Sequence, residues 1–256
     1  MTSTGKTPDV FARLLTANVQ DVGRHKLVTF IERDGVRDQV MPELRGVFQN
    51  HYVSAEITAQ RLTEMGAPKT ALLLKEELPK SKKARSGELG EVFATELVER
   101  RLGFEVPIRR LRWKDGREMA LRGDDIIAVS KVGNAPLKIL KGESKSRVAL
   151  APNVVNQAAD ALDRDRGRPT RHSTLFVAKR LREEGRNVLA NELEEAVLQS
   201  FRSVPVEHLL FTVSGNNPEM HLNDHLSACT KKRVRHAVGV HLKNHGAFVK
   251  SVYSKI

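Results

Sequence analysis

"RGDDIIAVSKVGNAPLKILKGESKSR", residues 122–147, decides the fold. Two short apolar runs flank "VGNAP", whose Gly and Pro mark a turn, so the segment reads as a pair of strands. Side chains two apart on a strand share a face, and Glu143 and Lys145 therefore point the same way. Burying a carboxylate and an ammonium together on such a strand is costly unless they have a task. Centring the turn on Asn134 places Asp125 opposite Glu143, with side chains about 5 Å apart. Asp124 then faces Ser144 on the other side, and a slip of one residue would exchange the two aspartates.

Two carboxylates that close repel each other unless a proton or a cation lies between them. A hard divalent cation meets the need, since Mg²⁺ takes one or two carboxylates and fills its shell with water and phosphate oxygens. Lys145 then stands where it holds a phosphate or a metal-activated water. An ordinary cross-strand ion pair is the alternative reading of the same residues.

Working outward, "EVPIRRLRW" and "EMALRGDDIIAVSK" read as the first two strands of a three-strand meander, joined by the Asp-Gly turn of "KDGR". "LKILKGESKSR" is the third. Before the meander, Ser86 is positioned to cap a helix through "GELGEVFATELVERRLG", which Gly103 ends. After it, Pro152 opens a helix, "PNVVNQAADALDRDR", followed by two further helices and a strand at 206–214. The tail is ambiguous between strand and helix. The expected class is α/β with a mixed sheet. Ahead of a basic linker at 80–85, residues 1–80 read as an α+β unit: a strand at 26–32, then helices, with Gly66 a stop and Pro68 near the next start.

The chain has 43 Lys and Arg against 31 Asp and Glu, a net charge of +12. The excess gathers in "KSKKAR" (80–85), "RRLRWK" (109–114), "RDRGRPTRH" (164–172) and "KKRVRH" (231–236). Clustered cations point to a polyanion partner, because phosphates reward them through counterion release. Lys82, Lys83, Arg85, Arg109, Arg110, Arg112, Lys231, Lys232 and Arg233 are the candidate nucleic-acid-binding residues, and charge alone does not separate DNA from RNA. One cysteine, Cys229, excludes an internal disulfide and a cysteine-rich zinc site. No apolar run is long enough to span a membrane and the N-terminus lacks a signal-peptide core, so a cytoplasmic protein is expected.

A helix with Glu91, a strand with Asp125, a strand with Glu143 and Lys145, and a helix with Gln157 together resemble the PD-(D/E)xK nucleases. More narrowly, "MGAPKTALLLKEELP", "RSGELGEVFATELVERRLGF", "RGDDII" and "KGESKSR" resemble the HamA family, the nuclease subunits of Hachiman antiphage defence. The resemblance implies a PD-(D/E)xK core over 81–256 with a helical insert at 172–201. It implies Asp125 and Glu143 as ligands of Mg²⁺, with Mn²⁺ as the substitute, and Lys145 positioning the attacking water. Glu91 and Gln157 would assist from the flanking helices. It also implies a largely nonspecific DNase restrained by a HamB-type superfamily 2 helicase, with residues 1–80 as a docking surface. Two other readings stay open: a non-catalytic nucleic-acid-binding module on the same fold, and a sequence-specific restriction-type endonuclease.

Gln157 shares a face with Val154 and Ala161, so it is expected buried and in need of a polar partner, which an active site would supply. Glu88 is accounted for by the helix dipole alone. "STGKT" (3–7) lacks the first glycine of a P-loop and the strand before it. His221 with His225, and His241 with His245, have helical spacing but no zinc-protease glutamate, and are expected at the surface or facing phosphate. Trp113 is expected in packing rather than base stacking.

Overall fold

The computed structural model describes residues 9–254 except 120, 132 and 134; "STGKT" and the turn centre Asn134 lie outside the described residues. Asp9 caps a short helix, α1 (Val10–Leu14), accepting from the amides of Phe11 and Ala12. The chain then makes an antiparallel hairpin of β1 (Leu15–Val22) and β2 (His25–Glu32). Its two-residue loop starts at Gly23, whose φ of 60° fits the tight turns that match strand twist. β1 has no apolar alternation to betray it: it is an edge strand with most side chains in solvent.

Helix α2 (Arg37–Tyr52) packs on the sheet, and α3 (Ala55–Glu77) bends at Gly66, where φ is 80° and the helix restarts through Pro68. The next helix starts before the expected cap. Ser81 accepts from the amide of Ala84, so α4 (Lys82–Leu97) absorbs the supposed linker into its first turn and Ser86 lies inside it. Both serines are competent caps; the earlier one adds a turn to the helix although Lys82 and Lys83 oppose its dipole. A π-helical turn, Val98–Leu102, ends at Gly103 in the left-handed region, as expected.

The meander loses a strand. Only Glu105 bridges Val129 in "EVPIRRLRW", and residues 110–113 turn into a 3₁₀ helix. Pro107 has no amide to donate, and Arg109, Arg110 and Arg112 spend their guanidinium groups on acceptors inside the protein. What remains is one hairpin, β3 (Ile126–Ser130) with β4 (Lys138–Arg147). Helices α5 (Pro152–Gly167), α6 (Arg171–Glu183) and α7 (Asn187–Leu198) lead to β5 (Val206–Ser214). Helix α8 (Glu219–Ser227), β6 (Arg235–His241) and α9 (His245–Tyr253) complete the chain, so the ambiguous tail supplies one strand and one helix.

The six strands form one mixed sheet in the order β1-β2-β6-β5-β4-β3, parallel from β2 through β4 and antiparallel at both ends. The central strands β5 and β6 are buried on both faces, as parallel strands between helical layers must be. On one face α2, α4 and α9 bring Phe48, Phe93 and Phe248 edge to face, with Phe11 joining them. On the other, Val177, Leu181 and Leu193 cover Ile127, Val129 and Ile139. Phe11 and Phe48 share their core with Phe93 and Phe248, and β2 pairs with β6. Residue 80 therefore divides neither the sheet nor the core.

Candidate active site

The β3–β4 register is the one read from the sequence: Ile126 pairs with Gly142, Ile127 with Lys141 and Ala128 with Leu140. Asp125 lies one residue before β3, and Glu143 follows Gly142 on β4. Asp125 Oδ2 accepts from the Ser144 amide at 2.9 Å, which fixes the carboxylate against β4. Two glycines permit this crowding. A Cβ on Gly142 would stand 2.9 Å from Ile126 Cβ, and one on Gly90 would stand 2.8 Å from Ser144 Oγ. The second contact presses α4 against β4 and delivers Glu91.

The acids are electrostatically strained. Burial, then the charge of Glu143, pushes Asp125 up to about 6. Burial, then the charge of Asp125, pushes Glu91 up to about 8. Arg110 opposes both shifts, and it lines a small cavity with Glu91, Thr95, Ile108, Leu111 and Asp125. Glu143 forms an ion pair with Lys145, each partly exposed. Thus Asp125, Glu143, Lys145 and Glu91 gather at one end of the hairpin.

Asp124 has a different occupation. β3 begins only at Ile126, so Asp124 leaves the ladder instead of facing Ser144. Its buried carboxylate accepts from the Thr170 amide at 2.7 Å and from Thr170 Oγ1 at 3.0 Å, and lies 3.5 Å from the buried Lys141 ammonium. That carboxylate ties the hairpin to the N-cap of α6. Gln157 also departs from expectation: Val154, Val155, Ala158, Ala159 and Leu162 take the buried face of α5, and Gln157 is exposed.

The basic clusters divide sharply. Arg109 makes a two-pronged bond to Glu99, Arg110 donates to the carbonyls of Arg122 and Asp124, and Arg112 donates to the Asn50 carbonyl. Arg85 donates to the Pro79 carbonyl and lies over the Tyr253 ring. These four are committed within the fold rather than offered to phosphate. Lys82, Lys83, Lys231 and Lys232 are exposed, and Arg233 is half-buried. Trp113 packs beside the α6–α7 core with Arg180 stacked 3.9 Å from its ring centre.

Three of the four histidines have partners within the protein: His225 Nε2 accepts from Arg235, His245 is buried against Ser146 Oγ, and His241 meets the Gly215 carbonyl, while His221 is partly exposed.

Sequence reasoning missed a buried chain beside the acids. Lys114 pairs with Glu88, Tyr52 donates to Glu88 at 2.7 Å, and Tyr52 meets Tyr253 at 2.9 Å. Glu88 is therefore more than a dipole-favoured acid. Four separated segments meet there, which no local spacing announces.

A family model, HamA, matches residues 10–256 of this chain. The chain belongs to the HamA family. Hachiman protein HamA of Bacillus cereus is 26% identical over 176 residues, which cover 68% of this chain and 62% of that protein. Helix α4, the β3–β4 hairpin and β5 of this HamA-family chain all lie within the family match.

Among the described residues no three His, Cys, Asp or Glu side chains are grouped as metal ligands. The donor set on offer is the pair Asp125 and Glu143. Hard oxygen donors, few in number and repelling each other, fit Mg²⁺ or Mn²⁺ completed by water and phosphate, and do not fit a protein-caged zinc ion. No helix among the described residues is long and apolar enough to cross a membrane.

Proposed function

We propose that this chain is a Mg²⁺-dependent deoxyribonuclease of the PD-(D/E)xK type, the effector of a Hachiman antiphage system. The observation that supports the reading is Asp125 held by the Ser144 amide, next to Glu143 on β4, with Lys145 paired to Glu143. A divalent cation held by the two carboxylates would polarise the scissile phosphate and lower the pKa of a bound water.

The protein's own groups have distinct tasks in this reading. The Ser144 amide and the close approach permitted by Gly142 orient Asp125 before any substrate arrives. Lys145, exchanged from Glu143 to the substrate, holds a phosphate oxygen or the attacking water at its Nζ. Glu91, protonated near neutral pH while Asp125 is charged beside it, can pass a proton or orient water. Gln157, exposed on α5, would assist from the solvent side. Glu143 is adjacent to Lys145, so neither charge is left alone in the partly buried site before substrate binds.

Purified protein incubated with supercoiled plasmid and Mg²⁺ or Mn²⁺, with and without EDTA, tests the proposal. Metal-dependent loss of plasmid, absent in Glu143→Gln, is expected. Intact plasmid under every metal condition removes the enzyme reading and leaves the binding module. Defined fragment ends would instead favour a restriction-type enzyme.

A nonspecific DNase needs restraint, because host DNA is always in reach. We propose a HamB-type superfamily 2 helicase as the restraining partner, with ATP-driven movement on DNA releasing the nuclease. Helix α3 supports a docking role for the N-terminal residues: Thr70 is its buried residue, while Ile57, Leu62 and Leu72 are exposed. Co-expression, size-exclusion chromatography and plasmid cleavage with and without ATP test this. No complex, or cleavage indifferent to the helicase in every nucleotide state, refutes it.

A further inference from the structure

Four cations left without an acid partner gather at the end of α5. A cavity of about 410 Å³ is lined by Asp163, Arg166, Gly167, His208, Lys232 and Arg233, with Lys231 at its edge. A second, of about 290 Å³, is lined by Asp165, Arg166, Arg168, Pro169, Arg171 and Phe201, so it too carries one carboxylate. Arg166 lines both, so the two cavities are neighbours.

The one carboxylate on the wall of the first cavity is already engaged. Asp163 Oδ1 accepts from the buried Arg235 at 2.8 Å, and its other oxygen lies 3.8 Å from the Lys231 ammonium. Among the described residues, Arg166, Arg168, Lys232 and Arg233 make no salt bridge, and of these Arg233 spends one guanidinium nitrogen on the Arg166 carbonyl at 3.1 Å. Burial and then the charge of Arg168 hold Arg233 below the usual arginine range, so the two guanidinium groups repel across the trough.

The backbone is shaped to present them. Asp165, Arg166 and Gly167 are consecutive residues at positive φ, of 56°, 59° and 70°. Two non-glycine residues in that region cost roughly 1 kcal/mol or more each, a strain that folds keep where it serves a site. At Gly167 a Cβ would meet Arg233 Nε at 2.9 Å and His208 Cε1 at 3.1 Å, so only glycine lets these walls close. The trough also adjoins the acids. Thr170, between Pro169 and Arg171, holds Asp124, and Asp125 follows.

Repelling cations in concave walls are relieved by an anion, and two neighbouring cavities sharing Arg166 suit successive phosphates better than a single ion. We propose that this trough holds the phosphodiester backbone of a nucleic-acid strand and leads it to Asp125 and Glu143. Its direction rests on the nuclease reading; its binding does not.

The test is fluorescence anisotropy with a labelled DNA oligonucleotide in EDTA, using the full chain. The double variant Arg166→Glu, Lys232→Glu is compared with Lys69→Glu, Lys75→Glu on α3, which changes net charge equally. The trough variant should bind at least about tenfold more weakly, and its salt slope should fall by about one for each phosphate no longer neutralised. The α3 variant should bind nearly as wild type. Equal weakening in both variants means only overall charge matters and overturns the proposal. So does wild-type DNA affinity in the trough variant, including the case where it instead loses a protein partner. If the trough variant loses binding while wild type cleaves no plasmid, the trough stands and the nuclease reading falls. If wild type cleaves and the trough variant cleaves and binds equally well, the trough falls and the nuclease stands.

Discussion

Replacing Glu91 by Gln should stabilise the protein at pH 8 and change little at pH 4.5. The folded protein holds Glu91 at about 8 against an ordinary 4.5, because burial and the neighbouring Asp125 charge both oppose ionisation. A carboxyl raised in this way contributes stability that is full below its unfolded pKa and lost as pH rises through its folded one. At about 1.4 kcal/mol per pH unit, the ceiling on the loss is about 5 kcal/mol. Glu91 is only partly buried; water reaching its carboxylate brings the expected gain of the glutamine variant down to about 1–3 kcal/mol. For a chain of this size that is a rise in Tm of about 2–4 °C per kcal/mol, read by thermal unfolding in EDTA at the two pH values. A shift of the same size at both pH values, or a loss at pH 8, would refute the reasoning. Glu91 would then be an ordinary hydrogen-bonded acid, not a strained member of the acid group.

Alanine at Asp125, Glu143 or Lys145 should each abolish plasmid cleavage while circular dichroism stays native; activity in all three would sink the site. Asp124→Ala should act on stability first, because it leaves buried Lys141 unpaired and releases the α6 cap. About 3–5 kcal/mol is expected from urea unfolding, and an unchanged midpoint would show that the pair is not structural. Glu207 is held down at about 2 by its hydrogen bond to His236 and, against burial, by Lys138. Its stabilising contribution is therefore full above about 4.5 and lost as pH falls towards 2, and Glu207→Gln should flatten the unfolding midpoint across that range.

The legible parts of the fold were those governed by local periodicity and punctuation. Strand 206–214 is marked by the apolar Leu209, Leu210, Phe211 and Val213, and Gly66, Gly103 and Pro152 mark helix ends and starts through backbone geometry alone. The failures have a common cause in long-range partners. "EVPIRRLRW" alternates like a strand, but its arginines find Glu99, Asn50 and two carbonyls of the 122–124 loop, and those bonds outweigh a sheet ladder. β1 was invisible because an edge strand in solvent needs no apolar face.

The site divides along the same line. Hairpin register is a local property, so the pairing of Ile126 with Gly142 and of Ile127 with Lys141 was readable from one turn and two runs, while Asp125 falls one residue before the ladder begins. Which basic residues remain available for phosphate is not local. Arg109, Arg110 and Arg112 formed one of four basic clusters in the sequence, yet the fold consumes all three. Arg166 and Arg168 sat in a stretch diluted by two aspartates, Asp163 and Asp165, and became the unpaired ones because buried Arg235, 72 residues away in sequence, takes Asp163. A charge cluster in a sequence thus reports where cations are made. Only the acids that fold against it determine which of them face a ligand.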